Sequence, residues 1–451
     1  MPELTNGNDA ACQCWQQPRY LRTYFNTQSR MRILTTLLLI VAAGSELAGQ
    51  ADSARLLARA RAIHRVIPMI DTHNDLPGVL RDEAGNDLAK MNPENSLPKI
   101  DTDFPRMKAG MVGGQFWSAY VPASFVKGGG ATFALQQIDV IKRMAAQSPS
   151  LGFARTAADI TRLHAQGKIA SLIGIEGGYA IENSLANVRM FAELGVRYMT
   201  LTHGGNTAWA DAATEAPAHG GLTRFGEEVV REMNRSGMMV DISHVSDGTM
   251  SDAIRVSEAP VIFSHSSARA IADHPRNVPD SILTLLKKNG GIVMVNIFPG
   301  FVNAIAAKQA QGALEKEREF LAKYPDDPKK ASAEYLVWLT NTMSSMEPGT
   351  LNQVADHIDH IVQVAGIAHV GYGADFGELS VHPKGLEDVS RYPYLTAELL
   401  RRGYTDAQVG QIIGGNMLRV MRQVELTAAR LQRLRAPSAA RIEDLDKPPV
   451  P

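Results

Sequence analysis

From Ile67 to about Val424 the chain alternates short apolar runs with longer amphipathic stretches. The apolar runs are Val66–Ile70, Met111–Trp117, Ala170–Ile175, Tyr198–Leu201, Met238–Ile242, Val261–Phe263, Gly291–Ile297 and Val370–Gly373. Most are near-continuous in Val, Ile, Leu and Met, as strands buried on both faces of a parallel sheet require. Helical periodicity occupies the intervals, for example Phe133–Ala146, Ser184–Leu194, Phe225–Arg235, Asp280–Lys288 and Val354–Ala365. Eight strand–helix repeats predict an α/β fold, a (β/α)8 TIM-type barrel. An open doubly wound sheet is the alternative, but no Gly-rich dinucleotide loop follows the first run. No internal repeat is present.

Three segments break the pattern. Gly300 to Thr350 is long for a barrel loop and carries its own helical patterns, Ala307–Ala322 and Ser332–Met343, around a Pro-Asp-Asp-Pro break at 325–328. Leaving the catalytic face of a barrel, it is placed to cap a site. Residues 436–451 are Pro- and charge-rich and read as a loose tail. Residues 1–50 lack domain patterning: a polar stretch precedes Met31-Arg32, an apolar run from Ile33 to Ala43, and small residues from Gly44 to Ala51. That is the layout of a secretory signal peptide starting near Met31. Its apolar run is about half of the ~20 residues that cross a bilayer, so no permanent transmembrane anchor is expected. The expected organisation is therefore a leader and signal peptide (1–50), one barrel domain (51–435) with an insertion at about 300–350, and a tail. The protein is expected to be exported, periplasmic or extracellular.

Composition narrows the chemistry. The 451 residues include 46 Lys and Arg, 47 Asp and Glu, 12 His and 2 Cys. A net charge of -1 without a basic stripe gives no reason to expect nucleic acid. The cysteines, Cys12 and Cys14, precede Met31, so the exported chain has none, and a metal site must use His, Asp and Glu.

Those residue types recur where the apolar runs end: Asp71-Thr72-His73-Asn74-Asp75, Glu176-Gly177-Gly178, His203, His244, His265 and Asp375. A barrel brings the C-terminal ends of its strands together at one face, where active sites of this fold lie. Imidazole and carboxylate without thiolate suit zinc or a similar divalent ion at an open catalytic site. His73 and Asp75 can serve one ion and His244 and His265 another, with Glu176 between them. Two ions about 3.5–4 Å apart would hold a bridging hydroxide at neutral pH.

The chain resembles the membrane dipeptidase (renal dipeptidase) family of zinc hydrolases from about Ile67 to Val420. The resemblance is carried by nine motifs in order: Ile70-Asp-Thr-His-Asn-Asp-Leu-Pro77, Gly113-Gly-Gln-Phe-Trp-Ser118, Gly174-Ile-Glu-Gly-Gly178, Tyr198-Met-Thr-Leu-Thr-His203 with Asn206-Thr-Ala-Trp-Ala-Asp211, Val240-Asp-Ile-Ser-His-Val-Ser246, Phe263-Ser-His-Ser-Ser-Ala-Arg269, His274-Pro-Arg-Asn-Val-Pro279, Gly371-Tyr-Gly-Ala-Asp-Phe376 and Gly414-Gly-Asn-Met-Leu-Arg-Val420.

The resemblance implies two Zn2+ per subunit, held by His73, Asp75, bridging Glu176, His244 and His265. It implies that His203 steadies the oxyanion and that Arg276 pairs with the free C-terminal carboxylate of a dipeptide. Asp375 binds the substrate amine or handles the proton of the bridging water. It also implies tolerance of a D-residue at the C-terminal position and a homodimer. Three departures stand out: Gly377 where an Asp is common, Tyr179 where a His is common, and a 300–350 segment longer than in the animal enzymes. Without cysteines, the inter-subunit disulfide of animal members cannot form. A lactonase or phosphotriesterase-like barrel is the alternative hydrolase, but such barrels bridge their metals with a carboxylated Lys at the fourth strand, where this chain has His203. A non-catalytic barrel would have lost ligands, and none is missing.

Overall fold

A buried parallel strand needs a hydrogen-bonding partner on each edge and a crossover to reach the next strand. The chain meets both needs by closing a ring. The computed structural model describes residues 51–446 apart from 326 and 378–380, and the chain divides into two units, 1–55 and 56–451. In the first unit residues 51–55 are helical; the proposed signal peptide and both cysteines lie outside the described residues. In the second unit the strands are β1 (Met69–Asp71), β2 (Val112–Tyr120), β3 (Leu151–Phe153), β4 (Ile169–Glu176), β5 (Val196–Thr200), β6 (Met239–Asp241), β7 (Ile262–Phe263), β8 (Ile292–Val295) and β9 (Val370–Tyr372). Eight of them form a closed parallel barrel, β1-β2-β4-β5-β6-β7-β8-β9, sealed where Asp71 pairs with Tyr372. The predicted (β/α)8 architecture is the one observed.

Two details differ from expectation. Leu151–Phe153, too short to show a period, is a ninth strand that pairs with Ile169–Ser171, the first residues of β4; β5 takes over at Ile173. Val66 ends a helix instead of starting a strand and is 75% exposed.

The helices used below are α1 (Gly130–Gln147), α2 (Leu185–Leu194), α3 (Arg224–Ser236), α4 (Asp280–Asn289), α5 (Ala304–Lys323), α6 (Pro328–Ser344), α7 (Leu351–Val364) and α8 (Asn416–Leu434). In α5 and α6 the 300–350 segment forms a pair of helices whose starts are capped by the side chains of Asn303 and Asp327, as their propensity for helix N-termini dictates. Strand residues alternate between two apolar clusters. Ile70, Phe116, Leu172, Tyr198 and Met294 belong to one, and Met69, Trp117, Ile173, Met199 and Val293 to the other, the period of two expected when both faces of a sheet are covered.

The segment read as a loose tail makes definite contacts as far as Asp446. Ser438 N donates to Glu232 of α3 at 3.2 Å, and Asp446 accepts from Thr223 Oγ1 at 2.6 Å and Phe225 N at 3.2 Å. Among the described residues, no helix is long and apolar enough to cross a membrane.

Candidate metal centre and active site

Glu176 is the last residue of β4. Gly177 follows with φ 111°, and a Cβ there would come within 2.5 Å of the Val121 carbonyl oxygen. Only glycine lets the chain turn so sharply, and the turn leaves the Glu176 carboxylate over the barrel mouth. Oε2 faces His73 Nε2 at 3.5 Å, while Oε1 lies 3.0 Å from His244 Nε2 and 3.3 Å from His265 Nε2. The two oxygens of one carboxylate thus face two separate groups. His73 Nε2 also lies 3.5 Å from Asp75 Oδ1 and 3.6 Å from Asp375 Oδ1, and the His244 and His265 Nε2 atoms are 2.8 Å apart.

Hydrogen bonding sets which imidazole nitrogens are bare. Tyr198 has one hydroxyl proton and donates it to the Thr72 carbonyl at 3.0 Å, a group that can only accept. Its oxygen therefore accepts from His73 Nδ1, also at 3.0 Å, so Nε2 carries the lone pair whenever the ring is neutral; without metal, burial is outweighed by Tyr198, Glu176 and Asp75, which hold His73 well above the usual imidazole range. The same logic holds for His265. Ser264 Oγ donates to Asp241 at 2.6 Å and meets His265 Nδ1 at 2.8 Å, so His265 Nε2 is bare as well. Burial, with Arg276 and His203 adding, holds His244 well below the usual imidazole range, and burial followed by His73 lowers His265. Neutral imidazoles with free lone pairs are metal ligands.

The carboxylates leave an opposite imbalance. Asp75 is pushed up to about 6 by burial, with Glu176 and Asp375 adding and His73 opposing. Burial also disfavours an ionised Glu176, but the facing imidazoles of His73, His203, His244 and His265 together hold its carboxyl well below the usual range. His73 Nε2 is buried without a hydrogen-bond partner. A buried His73 nitrogen without a hydrogen-bond partner, facing three carboxylates beside two imidazole nitrogens 2.8 Å apart, is an arrangement that a cation among them would satisfy. Three groupings could hold one: His73, Asp75 and Glu176; Glu176, His244 and His265; and His73, His265 and Asp375. The donor set fits divalent metal.

The other expected residues line the same mouth. His203 stacks on His244 at 4.1 Å between ring centroids and meets Tyr120 edge-on at 4.7 Å. Burial first, then Arg276, brings its pKa down to about 4, so it is a neutral N–H donor. Arg276 is 2% exposed. It donates to Ser266 Oγ at 3.2 Å and the His265 carbonyl at 3.1 Å, and its buried Nε has no partner. Asp375 Oδ2 accepts from Asn296 Nδ2 at 2.8 Å. His244 and Asp375 are two of only six non-glycine residues with positive φ among the described residues, at 64° and 71°. Such strain persists where the surroundings impose it, often at functional sites.

The eight remaining histidines each hold an ordinary partner; His64, for example, meets Thr396 Oγ1 at 2.8 Å, and His357 joins Ala268 N at 3.0 Å to the Val302 carbonyl at 3.0 Å. Sequence reasoning missed Ser118, which donates to Glu176 Oε2 at 3.1 Å, together with Tyr198 and Asn296. Ser118 and Tyr198 lie within strands and Asn296 directly follows one, and nothing in the local sequence marks them off from ordinary strand residues. Tyr179, one of the departures, accepts from His203 N and Gly205 N at 3.2 Å and donates to the Gly205 carbonyl, so it pins the loop that carries His203.

Comparison with known proteins gives the site its setting. A family model described as membrane dipeptidase (peptidase family M19) matches residues 57–435. Dipeptidase 3 of Rattus norvegicus is 43% identical over 376 residues, 82% of this chain and 68% of that protein. Dipeptidase 3 of Homo sapiens is 40% identical over 375 residues, 82% of this chain and 68% of its own. Among solved structures, the probable dipeptidase PvdM from Pseudomonas aeruginosa superposes with a TM-score of 0.73 at 26% identity, covering 83% of this chain and 100% of that chain. A metallo peptidase from Rhodobacter sphaeroides, liganded with a phosphinate mimic of the dipeptide L-Ala-D-Ala, shares the fold with a TM-score of 0.63 at 23% identity, covering 80% and 99%. With a family match that spans the whole barrel and a cluster of His, Asp and Glu side chains able to hold metal at its mouth, the chain belongs to the membrane dipeptidase family, peptidase family M19, and so to the metallopeptidases that hydrolyse dipeptides.

Proposed function

We propose that the protein is a binuclear zinc dipeptidase in which His73 and Asp75 hold one ion, His244 and His265 hold the other, and Glu176 bridges them. The observation that carries this reading is the division of the Glu176 carboxylate, one oxygen toward His73 and the other toward His244 and His265. Two ions there would supply an ionised water at neutral pH and Lewis acidity at the scissile carbonyl.

The chain's own residues do the rest. Arg276 pairs its unused donors with the C-terminal carboxylate, and a planar guanidinium does this bidentately where Lys could not. That pairing selects substrates that end one residue past the scissile bond. His203, neutral and at the cavity wall, donates its N–H to the oxygen that gains charge in the tetrahedral transition state. Asp375 has one oxygen fixed by Asn296 and the other 3.6 Å from His73 Nε2. That closeness to the metal position favours transfer of a proton from the nucleophilic water to the departing amine. Tolerance of a D-residue at the C-terminal position follows from the family resemblance, as does a homodimer. Residues 1–50 are a leader and signal peptide removed on export, and residues 51–435 form the catalytic domain.

Metal analysis combined with a dipeptide panel that includes L-Ala-D-Ala tests the assignment. Two zinc per chain, with hydrolysis lost in Glu176→Gln together with the metal, is the expected outcome. Protein loaded with two zinc equivalents that leaves every dipeptide intact would sink the dipeptidase reading. N-terminal sequencing of the exported protein and its mass in solution test the signal peptide and the dimer.

A further inference from the structure

The cavity at the barrel mouth continues beyond the metal cluster. A space of about 390 Å³ over Asp75, Glu176 and Asp375 shares His203, His244, Phe298, Phe301, Leu339 and Met343 with a second chamber of about 330 Å³. That volume is at the lower end of small-ligand pockets. Arg276 and Phe301 lie at its base, the guanidinium 5.0 Å from the ring centroid. Its roof comes from the 300–350 segment: Ala310 and Ala313 of α5, and Leu339 and Met343 of α6. Among the described residues lining it, Arg276 is the only charged side chain, since His274 is brought down to about 3 by burial and then by Arg276 and Arg269.

We propose that this chamber receives the side chain of the dipeptide's C-terminal residue and selects large apolar side chains over small or cationic ones. The inference rests on the dipeptidase reading above. With the C-terminal carboxylate on Arg276, the side chain on the same Cα must lie within a few bonds of the guanidinium, and the chamber is the space there. An apolar side chain gains by leaving water against Phe298, Phe301, Leu339 and Met343. A lysine side chain would be stripped of water and brought toward Arg276, with no carboxylate among the described residues of the wall to pair with. Because α5 and α6 form the roof, the insertion contributes to the preference together with Phe298.

Two measurements on zinc-loaded full-length protein test this. The first is kcat/KM for Ala-Gly, Ala-Phe and Ala-Lys, with the C-terminal residue of either hand. Ala-Phe should exceed Ala-Gly by at least ~10-fold in one series, and Ala-Lys should not exceed Ala-Gly. Ala313→Trp, at a partly exposed position that can accept bulk without opening the core, should fill the chamber and bring the Ala-Phe to Ala-Gly ratio toward one. The second measurement is calorimetry with the phosphinate analogues of Ala-Phe and Ala-Gly, which should rank the same way and lose their difference in Ala313→Trp. Equal ratios in the wild type, or a preference that survives Ala313→Trp, overturn the proposal. If no dipeptide is cleaved, the dipeptidase reading fails and the calorimetry decides the chamber alone: tighter binding of the Ala-Phe analogue, lost in Ala313→Trp, supports it, and equal binding overturns it.

Discussion

Tyr198→Phe isolates one hydroxyl on which the metal centre depends. The substitution keeps the ring, which is fully buried and packs 5.5 Å from Phe116, so no cavity opens. It removes the donor to the Thr72 carbonyl and the acceptor for His73 Nδ1. Each group is then buried without a partner, at about 1–3 kcal/mol apiece. The loss of the acceptor also frees His73 to move its proton to Nε2, the nitrogen required as a ligand. Removing such a support for a metal-bound histidine lowers affinity by about 10–100-fold, or about 1.4–2.8 kcal/mol. Zinc affinity measured by competition with a chromophoric chelator should fall by that factor, while urea unfolding of the metal-free protein shows a stability loss of about 2 kcal/mol or more. A variant that binds zinc as tightly as the wild type would refute the tautomer argument. A companion change works from the opposite side: a Cβ on Gly174 would lie 2.0 Å from Tyr198 Cζ. Gly174→Ala should therefore displace the phenol, weaken zinc binding in the same way, and combine less than additively with Tyr198→Phe.

Three further outcomes follow from the same contacts. Asn296→Ala releases Asp375, so kcat should fall about tenfold, a loss of about 1.4 kcal/mol in the range of a hydrogen bond to a charged group, with zinc content unchanged; an unchanged kcat would show that Asp375 needs no positioning. Tyr179→Phe removes the hydroxyl that holds the backbone at His203 and Gly205, and kcat should again drop with metal retained, most for substrates whose rate depends on the oxyanion contact; equal kcat would assign Tyr179 to packing. The metal-free protein should also respond to pH. Asp75 has a folded-state pKa raised to about 6 by burial and then by its acidic neighbours, against an unfolded value near 3.9. Its contribution to stability is present at low pH and lost as pH rises through about 6, and metal restores it. The gap in Tm between zinc-loaded and chelated protein should therefore widen from pH 5 to pH 7, and a gap that narrows would contradict this assignment.

The barrel and the metal-type residues were legible for one reason: both depend on patterns that sequence carries directly. An apolar run that ends in His, Asp or Glu marks a strand and the mouth it points to, and six of the eight barrel strands carry that mark. The other two supply Ser118 and Asn296, which orient Glu176 and Asp375. A lone Ser between Trp117 and Ala119, or an Asn between Val295 and Ile297, reads as part of the strand because hydroxyl and amide groups are common in sheets. Their meaning depends on a partner that sequence places up to 79 residues away. Tyr198 is harder still, since its ring is apolar filling and only its oxygen acts, 125 residues from His73. Position within the fold also separates the histidines. His357 is as buried as His73, but both its nitrogens are spent on backbone groups, whereas His73 spends one and leaves the other facing carboxylates. Burial alone therefore does not identify a ligand. Nor does an unspent nitrogen alone, since His64 also leaves a buried Nδ1 without a partner; the mark of His73 is an unspent nitrogen that faces carboxylates.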